Sequence, residues 1–269
     1  MNTSQPYFKA LISAVSLFWL STTVAAETPV AKNNFRLINA MGTIICDGKI
    51  RGSATHISVP QAKQQGKSVL ISAAHVLFDK KTGEAFNSCQ YRPQNKRLMA
   101  RDIDVFSATS YTVSSADKIS QAEDDIIFMM LEHRLYQPSL SLSDKGSTSD
   151  DQLQLIAYSA HLDRINLSQA CSPIISAESL SPYLLLHDCK AQAGTSGGAI
   201  VDTGSGKIVA IHGGALVFDQ TSFESGSNDS NPSLERYQVP AEKLINQGRI
   251  IDSELISDLE SFISANNKH

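Results

Sequence analysis

Three residue types that together can activate a hydroxyl lie in three separate apolar settings of this 269-residue chain. His75 closes the run VLISAAHV, Asp125 stands in EDDIIFMML, and Ser196 sits in AGTSGGAI. A serine hydroxyl is a weak nucleophile until a neighbouring base takes its proton. Histidine suits that task because its ordinary pKa lies near neutrality, so it can also hand the proton on to a leaving group. A buried carboxylate beside the ring fixes its tautomer and steadies the imidazolium. The oxyanion formed on attack at a carbonyl needs N–H donors, and the glycines around Ser196 let the N–H groups of Gly194 and Ser196 converge on one point. Gly197 and Gly198 keep the following turn slim. Asp124 competes for the acid role, but Asp125 directly abuts the apolar run.

These residues need a frame that returns distant segments to one place. Short apolar segments separated by polar turns supply it: FRLINAMGTIICDG, GSATHISV, SVLISAAHVL, IDVFSATSYTV, DIIFMMLEH, LQLIAYSAH, YLLLHDC, GAIVD, KIVAIHGGALVFD and RYQVPA. Each has strand length and strand composition, and their number and spacing predict an all-β sandwich or barrel. Two small barrels fit the length. Residues 220–235 are polar and predict a surface loop. Pro240 to Glu242 can start a short helix through Lys243, Leu244 and Ile245. Residues 253–265 space Leu255, Ile256, Leu259, Phe262 and Ile263 at helical intervals, with Ser253 as the expected cap.

The net charge of −4 and the absence of a Lys/Arg cluster give no electrostatic case for nucleic-acid binding. Lys9, the uncharged run Ala10 to Leu20 and the small residues Val24-Ala25-Ala26 read as a signal peptide over residues 1–26, with an N-terminal membrane anchor as the alternative. That reading leaves 27–269 as the mature domain, secreted or periplasmic and without a membrane association. In such a compartment the four cysteines, Cys46, Cys89, Cys171 and Cys189, suggest two disulfides. Three connectivities exist. Cys46–Cys89 with Cys171–Cys189 is favoured because each pair closes a local loop; free buried thiols are the alternative. There is no CxxC pair and no calcium-loop pattern, so neither a metal nor a cofactor is expected.

The stretches SAAHV, DDIIFMML and GTSGGAI, in that order, resemble the three catalytic signatures of the trypsin-like (chymotrypsin-fold) serine proteases. The resemblance runs from about Phe35 to Ile250. It implies two six-stranded antiparallel β-barrels, roughly 35–120 and 121–250, with the site between them and a C-terminal helix following. It also implies His75 as general base, Asp125 as its orienting partner, Ser196 as nucleophile, and Gly194 with Ser196 as the oxyanion hole. Gly194-Thr195-Ser196-Gly197-Gly198 also fits G-x-S-x-G, but an α/β-hydrolase needs a helix after the serine and a histidine later in the chain. Here a strand pattern follows, and the histidine signature comes first.

Within that family KIVAIHGG and RYQVPAEKLI resemble the bacterial glutamyl endopeptidase, or V8-like, branch. The likeness implies substrate-binding roles for His212 and Gly213, with His212 receiving a substrate carboxylate and Lys190 adding positive charge. Thr195 departs from trypsin-type zymogens, which place there an aspartate that captures a new N-terminus. The expected partner is a protein or peptide substrate met by a monomer. An inactive binding protein on the same fold, or an esterase using the same triad, are the rival readings.

Overall fold

The structure, a computed structural model, describes residues 29–108, 111, 117–145, 152–175, 181–219 and 242–266. The expected leader, the 220–235 loop and the RYQVPA segment fall outside these residues.

Two antiparallel sheets carry the fold. The first holds β1 (Met41–Cys46), β2 (Lys49–Ile57), β3 (Ser68–Ser72), β4 (Cys89–Pro93), β5 (Arg101–Asp102), β6 (Val105–Phe106) and β7 (Ile127–Leu131), in the order β5-β4-β1-β2-β3-β7-β6. The second holds β8 (Leu153–Ser159), β9 (Arg164–Leu167), β10 (Pro173–Ile175), β11 (Leu184–His187), β12 (Ala199–Asp202), β13 (Ile208–Asp219) and β14 (Glu242–Ile250), in the order β10-β11-β14-β13-β12-β8-β9. Helices α1 (Pro29–Asn39), α2 (Pro60–Gln64), α3 (Lys118–Glu123) and α4 (Ser253–Ala265) complete it.

The all-β architecture and the C-terminal helix are as the sequence predicts, and four details differ. Each sheet has seven strands rather than six. The edges include β5 and β6, two residues each and too short for an alternating pattern to reveal. The division near residue 120 is displaced, because β7 pairs along β3 from Ser68↔Leu131 to Ser72↔Ile127 and so belongs to the first sheet. Phe35 to Asn39 end helix α1 instead of opening a strand. Lys243 to Ile245 lie in β14, where pairing with β13 overrides the local helix signal.

The cores explain why the sheets close on each other. β3 and β7 are buried at every position, so neither has a solvent face. Val69, Ile71, Phe128 and Met130 of the first sheet pack with Ile156, Tyr158, Ala199, Val201 and Ile211 of the second. Helix α4 seals this layer with Leu255, Leu259, Phe262 and Ile263, and Phe262 stacks on Phe128. Its cap is Asp252 rather than Ser253: the carboxylate accepts the Leu255 N–H at 2.8 Å and an Arg249 Nη1 hydrogen at 2.6 Å. A carboxylate that offsets both a helix end and a buried guanidinium outcompetes a hydroxyl.

Both favoured disulfides form, Cys46–Cys89 and Cys171–Cys189. The second closes a span of 18 residues and anchors Cys189, just ahead of the Ser196 loop. Loop-closure entropy assigns such a crosslink about 3 kcal/mol. Replacing Cys171 and Cys189 together by alanine should lower stability by about 2–4 kcal/mol, read from urea unfolding with midpoint and slope both fitted, since the released unfolded chain is less compact.

Candidate active site

His75, Asp125 and Ser196 reach the seam between the sheets from three elements. β3 ends at Ser72, and the 3₁₀ turn Ala74–Val76 turns the chain so that His75 faces the seam, 7 % exposed. Asp117 caps α3 by accepting the Ser120 N–H. That short helix ends at Asp124, an exposed C-cap, so the next residue, Asp125, turns inward and is 4 % exposed. The two aspartates are thereby distinguished by burial.

Asp125 holds His75 at two points. Its Oδ2 accepts from the ring Nδ1–H at 2.6 Å, and its Oδ1 accepts from the His75 backbone N–H at 2.9 Å. A carboxylate on Nδ1 keeps the proton there and leaves Nε2 as the basic nitrogen. Two donors on one buried carboxylate also offset part of the cost of burying its charge. Tyr111, which the sequence reading passed over, packs near the His75 ring at 6.4 Å between centroids. Burial, and then the charge of Asp125, push its hydroxyl pKa up, so it stays neutral.

Ser196 lies on a loop whose peptides are held from three directions. The Ala193 carbonyl accepts from Ala160 N–H at 3.0 Å, and that of Thr195 from Gly198 N–H at 2.9 Å. Peptide C=O and N–H groups point opposite ways in a trans bond, and all the bonds here are trans. Anchoring those two carbonyls therefore directs the N–H groups of Gly194 and Ser196 outward. Neither finds an acceptor among the described residues, whereas Thr195, Gly197 and Gly198 each donate, to Gln192, His212 and Thr195 carbonyls respectively. Thr195 is buried, and its hydroxyl donates to the Gln192 carbonyl at 2.7 Å, closing the loop on itself.

Gly197 must be glycine on two counts. Its φ is +78°, and a Cβ there would meet the Ser53 carbonyl at 2.1 Å and Ser72 Oγ at 2.2 Å.

The serine hydroxyl donates to the Gly213 carbonyl at 3.4 Å, a long contact, and makes no hydrogen bond to His75 among the described residues. Gly213 reaches this position because the β13–β14 register shifts between His212 and Gly214. The resulting bulge takes Gly213 out of the ladder and lays it against Asp125, where a Cβ would come within 3.0 Å of Oδ2. Gly213 also lines a cavity of about 520 Å3 with His75, Asp125, Tyr111, Lys80 and Lys118.

The remaining expected residues lie elsewhere. Lys190 is exposed and forms no ion pair among the described residues. His212 does not line that cavity; it is 2 % exposed, with Nδ1 at 3.2 Å from Nε2 of the fully buried His187. Its backbone ties β13 to the serine loop, donating to Gly198 and accepting from Gly197. No group of three or more His, Cys, Asp or Glu side chains among the described residues is placed to hold a metal ion.

Two antiparallel seven-stranded sheets that meet at a seam, followed by a C-terminal helix, give the chain a chymotrypsin-like fold. Among solved structures the chain is similar to a Glu endopeptidase solved in complex with MPD, with a TM-score of 0.58 and 13 % identity over 84 % of this chain and 91 % of that one. It is similar to a serine endoprotease from Yersinia pestis, with a TM-score of 0.53 and 13 % identity over 88 % and 67 %. A third is the thermostable serine protease AL20 from an extremophilic microorganism, with a TM-score of 0.57 and 11 % identity over 84 % and 98 %. At such identities the likeness is one of fold. No family model matches the chain, and no curated protein matches it by sequence.

Burial sets the charge state of the histidines behind the site. It pushes His212 down to about 4, helped by the nearby His75 and opposed by the Gln247 backbone and Asp125. Burial, then His212, hold His187 well below its ordinary value. A folded pKa below the unfolded value of about 6.5 means that the unfolded chain takes up protons first as pH falls. The stability from these neutral rings is therefore complete above about pH 6.5 and is lost on acidification towards about pH 4, with His212 alone accounting for about 3 kcal/mol. Urea midpoints measured across that range should fall steadily with pH; a flat profile contradicts a buried neutral pair.

Proposed function

We propose that the chain is an exported serine endopeptidase. His75 Nε2 takes the Ser196 proton as Oγ attacks the scissile carbonyl carbon. The oxyanion accepts from the N–H groups of Gly194 and Ser196, and collapse expels the amine with the proton returned by His75. Water then attacks the acyl-enzyme by the same route and frees Ser196. The observation that carries this reading is the two-point hold of Asp125 on His75, beside a serine loop with two N–H donors that have no acceptor among the described residues. The long Ser196–Gly213 contact gives up little when the hydroxyl turns about one torsion to engage His75, and such bonds often tighten only with substrate bound. Residues 1–26 and the two disulfides fit a secreted or periplasmic site of action.

We further propose an acidic preference near the cleavage site. Lys80 and Lys118 line the cavity beside His75, and a buried substrate carboxylate needs such a cation. His212 serves this preference only if substrate reaches it, since it is neutral and enclosed in the free protein.

A second reading, a protease-fold protein that binds without cleaving, is favoured by one observation: the Ser196 hydroxyl rests on Gly213 rather than on His75. A fluorophosphonate probe separates the two. Labelling of the folded protein that disappears in Ser196→Ala, and that slows about 10⁴-fold in Asp125→Asn, supports the enzyme; a folded wild type that stays unlabelled supports the binder. Casein hydrolysis distinguishes an endopeptidase from an esterase that accepts only small esters.

For specificity, Lys80→Ala should lower the Glu-over-Gln ratio of kcat/KM on matched peptides by about 10-fold, whereas His212→Ala lowers it only if substrate reaches the ring. An unchanged ratio in either variant removes that residue from the role.

A further inference from the structure

Ser53 sits in the middle of β2, in the sheet opposite the serine loop, and is fully buried. Every polar group it carries is engaged at this junction. Its hydroxyl donates to the Gly194 carbonyl at 3.0 Å and accepts the Tyr158 N–H of β8 at 2.8 Å. Its backbone N–H donates to the Ser196 carbonyl at 2.7 Å, and its own carbonyl accepts from Ser72 Oγ at 2.7 Å.

The two loop carbonyls that Ser53 grips belong to Gly194 and Ser196, the residues whose N–H groups stand free. Each of these residues thus has one peptide fixed by Ala160 or Gly198 on its N-terminal side and the next fixed by Ser53 on its C-terminal side. Gly194, at φ +92°, has no side chain to restrict it, and among the described residues only Ser53 Oγ bonds its carbonyl. Without that bond the Gly194–Thr195 peptide keeps only its Thr195 N–H contact, so the stretch between the Ala160 and Gly198 anchors loosens and the Gly194 and Ser196 N–H groups lose their fixed orientation relative to one another. Gly52, just before, allows the approach: a Cβ there would stand 2.6 Å from the Ser196 carbonyl oxygen.

We propose that Ser53 is a positioning residue for the oxyanion-binding loop, acting through Gly194 rather than by touching substrate. This rests on the serine-hydrolase reading above. Ground-state binding does not depend on the direction of those N–H groups, whereas transition-state binding does, so the loss falls on kcat.

The test compares wild type, Ser53→Ala and Ser53→Thr for acylation by a fluorophosphonate, turnover of a small p-nitrophenyl ester and affinity for a peptide aldehyde, each after confirming folding by thermal melt. Ser53→Ala should lower kcat and the labelling rate by about 10–100-fold, with KM within about threefold, because one misdirected donor forfeits part of the 10²–10³ that a deleted one does. The aldehyde, whose adduct carries the oxyanion, should weaken by a similar factor, and Ser53→Thr, which keeps the hydroxyl, should recover most of the loss. A folded Ser53→Ala that labels at the wild-type rate, or a loss carried by KM with the aldehyde affinity unchanged, overturns the proposal. If Ser53→Ala does not fold, Ser53→Cys, similar in shape but a weaker donor, takes its place under the same criteria. A wild type that fails to label at all sinks the serine-hydrolase reading, and the role of Ser53 with it.

Discussion

A glycine-rich loop cannot aim two N–H groups at one point by itself, because nothing in its own side chains restricts its peptides. The direction of each N–H is fixed by the carbonyl at the other end of the same peptide bond. How two such N–H groups lie relative to each other also depends on the peptides between and after them, and in this protein the carbonyls of these successive peptides are shared among three owners. The second sheet holds Ala193 through Ala160, the loop holds Gln192 and Thr195 through its own N–H and hydroxyl groups, and the first sheet holds Gly194 and Ser196 through Ser53. Neither sheet alone can form the site. The close packing of Val69 and Ile71 against Ile156 and Tyr158 is therefore as much a condition for chemistry as for stability. Helix α4, remote in sequence from every candidate catalytic residue, contributes by sealing that layer.

The seam is polar as well as packed. Asp125 is the carboxylate, and the His75 donors answer it on both oxygens. Behind it His212 and His187 share a hydrogen bond as neutral rings, since a second charge in this volume would be costly. The satisfaction is incomplete. His187 Nδ1 is buried and has no partner among the described residues, a cost of the order of 1–3 kcal/mol. A Cβ at Gly213 would stand 3.0 Å from Asp125 Oδ2 and 2.4 Å from Gln247 Nε2, so the bulge in β13 brings its backbone close against the acid.

Much of this arrangement could be read from residue order because its strongest signals are local. β3 and β7 carry the apolar runs VLI and IFMML, which end shortly before His75 and begin shortly after Asp125, and the stripe of α4 repeats at helical spacing. What escaped is what pairing alone decides. Ser53 lies in RGSATH, where nothing marks it; its importance comes from the Ser196 loop lying across β2. His212 is a pocket residue only by the likeness of KIVAIHGG to the V8-like branch. The bulge one residue later, invisible in an alternating pattern, puts Gly213 at the cavity while His212 stays behind it. Residues 242–245 read as a helix start until β13 offered them a ladder. Asp125 is distinguishable from Asp124 by its place against the apolar run, and the end of α3 between them shows why: it leaves Asp124 at the surface and turns Asp125 into the seam.

Thr195 carries the argument one step further. A loop locked by an ion pair to a newly made N-terminus gains its working shape only after cleavage, because a buried aspartate without its cation is heavily penalised. Threonine carries no such charge. Its hydroxyl and N–H both close on Gln192, and net contributions of about 1 kcal/mol per neutral bond are enough when several act on one short loop. The segment before β1 has other work: Leu37 and Ala40 enter the inter-sheet core, and Arg36 donates to the Ser139 carbonyl. None of its hydrogen bonds among the described residues reaches the serine loop. Among the described residues, the hydrogen bonds that hold the Gly194 and Ser196 peptides therefore come from the two sheets and from the loop itself.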